Sequence, residues 1–295
     1  MIEFPLLPSG EKPIWDGEVF RIGDRVTSVL AYSTNLAGWD DDLTELHEME
    51  AGDGAHPIDV ASRISALNSI RDAGFPQDGS ILEVGCSSGF LLRDIKKAFP
   101  QANIVGADIV VKPLERLSDI LPGVPLIQID LLKCPLVEGQ FDAVVALNVL
   151  EHIEDDDLAL RQMTRLLKPG GVLIVEVPQG PALFDYYDEY LRHFRRYTKG
   201  ELLKKLQHTG LTIQHTAAIG FLLYPLFYLV KKCNRTHYGI KGEKCNNIEK
   251  MVRQQIKRTS TNKVLNFIFA LESLLADLGQ VMPGVRCTAV AKKMN

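Results

Sequence analysis

The sequence predicts an α/β protein with an open, mostly parallel sheet covered by helices on both faces. Three observations predict it. From residue 58 onward, short apolar runs alternate with stretches of helical periodicity, the pattern of successive strand–helix–strand units. Several runs end in a glycine or an acid: ILEVG at Gly85, IVGAD at Asp108, LIQID at Asp130. A final apolar run, RCTAVAKK, returns after a long interruption to complete the sheet. With 295 residues, 46% apolar and 24% charged, the chain holds one large domain or one domain with an accessory.

Residues 1–57 form an N-terminal extension with little periodic pattern. A short strand is expected around Val26 to Tyr32, followed by GWDDDLTELHEMEAGDG, which contains no basic residue. This segment, with His47 and His56 beside acids, reads either as a solvated extension or as a lid whose closure excludes water. The core, 58–219, opens with a helix in HPIDVASRISALNSIRDAG, which sets Val60, Ile64, Leu67 and Ile70 at helical spacing and stops at Gly74. A strand from Ile81, a helix closed by Pro100, a strand through Asp108 and a helix ending before Pro122 come next. PLIQIDLL and FDAVVALNVLEHI are the third and fourth strands. DDDLALRQMTRLLK is a helix closed by the Pro169-Gly170-Gly171 turn, and VLIVEVP is the fifth strand. TKGELLKKLQHTG and LTIQHTAAIG add one helix and one strand. The last strand lies in 285–295, after an insertion at 220–284.

The insertion begins with the apolar GFLLYPLFYLV, continues with a basic stretch, and ends in the amphipathic VLNFIFALESLLADLG. Its apolar run is too short to span a bilayer and is broken by Pro225. The segment reads as a cap over an apolar pocket, as a homodimer contact, or as a membrane-surface element. In the last case residues 220–258 would touch the bilayer through Phe221, Leu222, Leu223, Tyr224 and Phe227, with lysines at anionic headgroups. The N-terminus has no basic region leading into a long apolar run, so no secretory signal and a cytoplasmic location, with peripheral membrane contact as the variant, are expected. Cys86, Cys134, Cys233, Cys245 and Cys287 are scattered without paired spacing, as free thiols in a reducing compartment are. A net charge of −4 supplies no field attracting a polyanion, and no nucleic acid partner is expected.

The chemistry-bearing signal is Glu83-Val84-Gly85-Cys86-Ser87-Ser88-Gly89, which starts in a strand and runs into a helix. Gly85 lets the chain turn sharply beside a ligand, and Gly89 allows close packing where the helix starts. The helix amides there favour an electron-rich group such as the carboxylate of an amino acid. Asp108 ends the second strand, where an acid can accept both hydroxyls of a ribose. Asp130 ends the third, where an acid can accept from an exocyclic adenine amine. Three polar groups at the carboxyl ends of successive strands lie where open α/β sheets bind ligands. A dinucleotide-binding loop would need a second glycine where Ser87 stands.

Taken in order, ILEVGCSSG, GADI, IQIDLL, FDAVVALNVLEHI and LLKPGGVLIVEVP resemble the successive motifs of class I S-adenosylmethionine-dependent methyltransferases, over about residues 78–178. The resemblance implies a three-layer α/β/α Rossmann-like fold, with a mostly parallel seven-stranded sheet and an antiparallel last strand. It implies S-adenosyl-L-methionine as cofactor, with Glu83, Gly85 and Gly89 shaping the methionine pocket and Cys86, Ser87 and Ile109 among the residues that hold the cofactor. Asp108 would hold the ribose, Asp130 with Leu131 would flank the adenine, and Asn148 would lie close to the methionine end. Ser87 departs from the usual middle glycine of the loop. Downstream, YYDEYLRHFRRYTKGEL resembles a segment found after the fifth strand in a subgroup that modifies glycans, lipids and secondary metabolites. Asp188, His193, Arg195, Arg196 and Tyr197 carry that likeness.

The expected activity is methyl transfer to a small-molecule, glycan or lipid acceptor, most simply at a hydroxyl. The expected base is His152 or His193, since histidine titrates near neutrality. Arg195, Arg196 and Tyr197 are the expected acceptor contacts. His152 also reads as a cap for the following acidic helix, and the Asp188–Tyr197 segment as a solvated, charged helix start. N- or C-methylation, and an inactive methyltransferase-like binding protein, are the alternatives. Some related enzymes hold a divalent ion through Glu-x-x-Glu-His after the fourth strand. Here Asn148 replaces the first acid, leaving Glu151 and His152, and no metal is expected.

Overall fold

The computed structural model describes residues 2–33, 54–238, 252 and 263–294. The N-terminal part is a three-stranded antiparallel meander, β1 (Ile14–Trp15), β2 (Phe20–Ile22) and β3 (Arg25–Thr27), followed by β4 (Val29–Ala31). The core then runs α1 (Pro57–Asp72), β5 (Ser80–Val84), α2 (Phe90–Ala98), β6 (Asn103–Asp108), α3 (Val111–Ile120), β7 (Leu126–Gln128), β8 (Phe141–Leu147), α4 (Asp156–Leu166) and β9 (Leu167–Pro178). After α5 (Tyr186–Tyr190), α6 (Lys199–His208) and β10 (Leu211–Ile219) come the insertion helices α7 (Tyr224–Tyr238) and α8 (Lys263–Leu274), and finally β11 (Arg286–Lys293).

The main sheet has the order β10-β11-β9-β8-β5-β6-β7-β4. All pairings from β4 to β9 are parallel, and β11 is antiparallel to both β9 and β10. Strand order reverses between β5 and β8, which opens the crevice at their carboxyl ends where such sheets take ligands. β5 is buried along its whole length, so both faces are covered. Leu91, Leu92 and Ile95 of α2 and Leu114 and Leu117 of α3 pack on one face, with Ile81 and Ile104. Leu160 and Met163 of α4 and Leu202 and Leu206 of α6 pack on the other. Each such buried side chain contributes about 1.5–3 kcal/mol.

Three differences from expectation have local physical causes. The sheet has eight strands, not seven, because Val29–Ala31 of the extension pairs parallel with Leu126–Gln128. Phe4, Phe20, Ile22 and Leu30 join the core, with Phe4 and Phe20 in edge-to-face contact at 5.0 Å. The first part of the extension is therefore integral to the domain. The acidic segment with His47, and Cys245 of the insertion, lie outside the described residues.

On α1 the buried positions are Pro57, Ser62, Ala66, Ser69 and Ile70, while Ile64 is exposed. The helix is turned so that Ser62 can donate to the buried Glu176 of β9 at 2.6 Å. The Pro169-Gly170-Gly171 turn falls inside β9, as an irregularity between the Phe141–Leu167 and Ala143–Val172 pairs. Thr198 and Glu201 close a reciprocal capping box at the start of α6, as TKGE foreshadows.

Candidate active site

Two cavities meet over the crevice. The first, ≈ 480 Å³, follows the carboxyl ends of β5, β6, β7 and β8, past Gly85 and Ser87, Asp108 and Ile109, Asp130 and Leu131, to Asn148. The second, ≈ 520 Å³, lies under α7 and α8 and shares Gly85, Ser87, Asn148 and His152 with the first.

Backbone conformation shapes the shared wall. Gly85 has φ +74°, and a Cβ there would come within 2.5 Å of Val149. Ser87 and Asn148 are left-handed without being glycine, at φ 40° and 54°. Such positions cost of the order of 1–3 kcal/mol each and persist where surrounding contacts enforce them. Here Ser87 N–H donates to Asp108 Oδ2 at 2.8 Å, and Asn148 N–H donates to the Glu176 carbonyl at 2.9 Å. Gly89 lines neither cavity. It caps α2 at φ +72°, where a Cβ would meet Leu117 at 2.3 Å, so its role is packing.

Asp108 accepts from Ser87 N–H with one oxygen and from Val110 N–H, at 3.0 Å, with the other, leaving a lone pair on each for a diol. Burial raises its pKa above the ordinary value, against the pull of those amides. Asp130 caps the turn after β7 by accepting from Leu132 N–H at 2.9 Å. Glu83 and Cys86 line a smaller adjoining cavity with Ser62 and Arg63. Glu83 is buried, and its Oε2 has no hydrogen-bond partner. Burial, and then the neighbouring charge of Asp108, push its pKa well up.

A cavity carrying a diol acceptor at Asp108, an adenine edge at Asp130 and apolar Ile109 and Leu131, with the orphaned carboxyl of Glu83 in the adjoining cavity to receive an ammonium, fits S-adenosylmethionine. Its size is that of a cofactor site.

The second cavity holds the ionisable groups. His193 Nδ1 lies 3.1 Å from Asp188 Oδ1. Burial alone would raise Asp188, but the cations Lys231 and Arg196 outweigh it and hold the carboxyl well below its ordinary value. A carboxylate only accepts, so His193 Nδ1 carries the proton and donates. Burial lowers the pKa of His193 against the pull of Asp188, so at neutral pH the ring is uncharged with Nε2 bearing a lone pair. The His152 ring sits edge-to-face on it, centroids 4.6 Å apart. Glu151 is buried beside them with Oε2 unpartnered, and burial pushes its pKa up to about 8. Glu151, His152 and His193 offer ligand atoms within 4.8 Å of one another, so this cluster could hold a metal ion. The expectation of no metal considered Glu151 and His152 alone, whereas the fold adds His193.

The downstream segment divides. Arg196 lines the cavity and donates to Asp188 at 2.7 Å and to the Gln179 carbonyl at 3.2 Å. Tyr197 and Arg195 do not line either cavity. Tyr197 is buried and donates to Asp156 Oδ2 at 2.8 Å, and Arg195 pairs with Asp156 Oδ1 at 2.8 Å. Reading those two as acceptor contacts is therefore corrected: they fasten the segment to α4. The cap of α4 is Asp155, accepting from Leu158 N–H, and not His152.

Two further residues were not read from the sequence. Lys231, placed in a basic stretch, is buried and bonds Asp185 at 2.6 Å and Asp188 at 3.0 Å. Arg286 bonds Asp59 at 2.7 Å and Ser62 at 3.0 Å beside Asn148. Glu176, an acid inside the apolar run VLIVEV, was the available signal for that second network.

The sheet order and this first cavity are those of the class I, Rossmann-like methyltransferase fold. Residues 82–175 match the family described as a methyltransferase domain. The ubiquinone/menaquinone biosynthesis C-methyltransferase of Syntrophotalea carbinolica is 30% identical over 143 residues, 46% of this chain and 59% of that protein. The ubiquinone biosynthesis O-methyltransferase of Chromobacterium violaceum is 28% identical over 163 residues, 48% of this chain and 68% of that one. The chain thus spans little more than half the length of some curated relatives it matches. Among solved structures, phosphoethanolamine N-methyltransferase 2 of Haemonchus contortus with S-adenosyl-L-methionine superposes with TM-score 0.57 at 16% identity, covering 87% of this chain and 58% of that one. An S-adenosylmethionine-dependent methyltransferase of Mesorhizobium loti gives 0.51 at 18%, covering 80% and 99%. Among the described residues no helix is long and apolar enough to cross a membrane.

Proposed function

We propose that the chain is an S-adenosylmethionine-dependent methyltransferase that methylates a hydroxyl of a small-molecule acceptor, with His193 as general base. One observation carries this reading: the two cavities share a wall at Gly85, Ser87, Asn148 and His152, and the oriented His193 stands on the acceptor side of it. Curated relatives include methyltransferases of small metabolites, in both O- and C-methylating kinds, which supports a metabolite acceptor.

Asp108, Asp130 and Glu83 would hold the cofactor's ribose, adenine and amino group. When bound, the cofactor supplies an electrophilic methyl on a sulfonium. The chain's own work is to align the acceptor hydroxyl, which contributes about 7–11 kcal/mol, and to accept its proton. His193 Nε2 takes that proton, and Asp188 steadies the imidazolium formed. His152 and Asn148 bound the space in which the acceptor oxygen must sit. Calorimetric titration with S-adenosylhomocysteine tests the cofactor half. Micromolar binding that collapses in Asp108→Ala is expected, and a folded protein that does not bind refutes the reading.

The Glu151, His152 and His193 cluster favours a second reading, in which these three residues would hold a divalent cation able to supply Lewis-acid chemistry, and Asp188 would orient His193 from behind. Activity that disappears with EDTA and returns with added Mg²⁺, Mn²⁺ or Zn²⁺ would select it. Activity indifferent to chelation selects the base.

A further inference from the structure

We infer that the acceptor is amphipathic, with its hydroxyl head at the histidine pair and an aliphatic chain lying between α7 and α8. This rests on the methyltransferase reading above and narrows its substrate class.

The acceptor cavity is chemically divided. The end made by the core carries His56, Asp59, Glu151, His152, His193 and Arg286. The end made by the insertion is contributed by Leu223 just before α7, by Leu226, Phe227 and Val230 of α7 and by Leu265 and Phe269 of α8. Phe227 and Val230 stand at helical spacing, as do Leu265 and Phe269, so each helix turns one apolar face inward. The polar side chain that α7 adds to this lining, Lys231, is committed to Asp185 and Asp188.

A hydroxyl-rich acceptor filling this cavity would leave its hydroxyls unpaired against hydrocarbon, each at the cost of its lost hydration. An aliphatic chain meets no such penalty and gains from every methylene it buries. The cavity also opens on its apolar side. Leu226 and Val230 line it while remaining 63% and 43% exposed, and Leu222 and Leu229 beside them are exposed too. A chain longer than the cavity can therefore leave along an apolar rim.

The test uses the full chain saturated with S-adenosylhomocysteine and a series of 4-alkylphenols from ethyl to octyl, each below its aggregation limit, with binding measured by calorimetry. Affinity should rise roughly three- to fourfold per methylene. Because Leu226 and Val230 are exposed, the double variant Leu226→Glu, Val230→Glu should fold. It should bind S-adenosylhomocysteine as the wild type does and flatten the series. A flat series in wild-type protein that binds S-adenosylhomocysteine overturns the inference and leaves the methyltransferase reading standing. A steep series that the double variant leaves unchanged also overturns it, since the chain would then bind elsewhere. Failure of the folded wild type to bind S-adenosylhomocysteine overturns both.

Discussion

At His193, the proposed base, the chemistry would turn on which ring nitrogen holds the proton, and Asp188 decides it by accepting at Nδ1. Replacing His193 with Gln should lower kcat by about 10²–10⁴-fold while S-adenosylhomocysteine binds as before. Asp188→Asn should lose part of that rate, because an amide also presents a donor to the ring. The base must be uncharged, and burial lowers its pKa from 6.5. The rate should therefore be level above neutrality and fall only as pH drops below that ordinary value, in a profile that His193→Gln abolishes.

Glu151 makes an opposite prediction for stability. Its native pKa is raised to about 8 from 4.5, so the folded chain keeps a proton that the unfolded chain has released. The contribution is full below about 4.5 and lost as pH rises through about 8. Glu151→Gln should therefore match the wild type in Tm near pH 4 and exceed it near pH 9. The proposed cofactor positions Gly85, Asp108, Asp130 and Asn148 were legible because each lies at or just past the end of a different strand, a local feature. Tyr197 and Arg195 were misplaced because their segment is irregular, with Arg192 at φ 56°, and no periodicity states which way such a chain faces.

Among the elements, α7 has the most to say about the catalytic machinery. Its Lys231 reaches Asp185 at the start of α5 and Asp188 one turn on, and Asp188 in turn holds Arg196 and His193. The insertion thus locks the proposed base, His193, to the core. Removing one partner of a buried ion pair costs about 3–5 kcal/mol, so Lys231→Met should lower the midpoint of denaturant unfolding. It should also shift the pH midpoint of kcat, which a purely structural lysine would leave alone. Lys231 could not be singled out in the sequence, since it stands among exposed basic residues and its partners lie more than forty positions away. In α2, Gly89→Ala should destabilise by about 1–3 kcal/mol, because its left-handed φ and the contact with Leu117 coincide. Chemical denaturation of that variant checks it.

Across the whole molecule, the alternation of apolar runs disclosed the parallel sheet, the cofactor crevice and the position of the insertion. It did not disclose the eighth strand as a sheet member. β4 is short, and its partner β7 lies far along the chain, so only the completed fold reveals the pairing. Deleting residues 1–33 should uncover the edge of β7 and remove Phe20 and Leu30 from the core. Such a protein should aggregate or lose cooperative thermal unfolding, whereas a solvated extension would be dispensable.

β11 has a bearing on synthesis. It is the last strand in chain order, yet it lies between β9 and β10, and Arg286 at its start reaches the active-site crevice. A ribosome that halts between Ile219 and Arg286 releases a polypeptide whose β10 has no neighbour and whose crevice lacks that guanidinium. Interrupted translation would yield no half-working enzyme, only a chain with open strand edges of the kind that chaperones and proteases recognise.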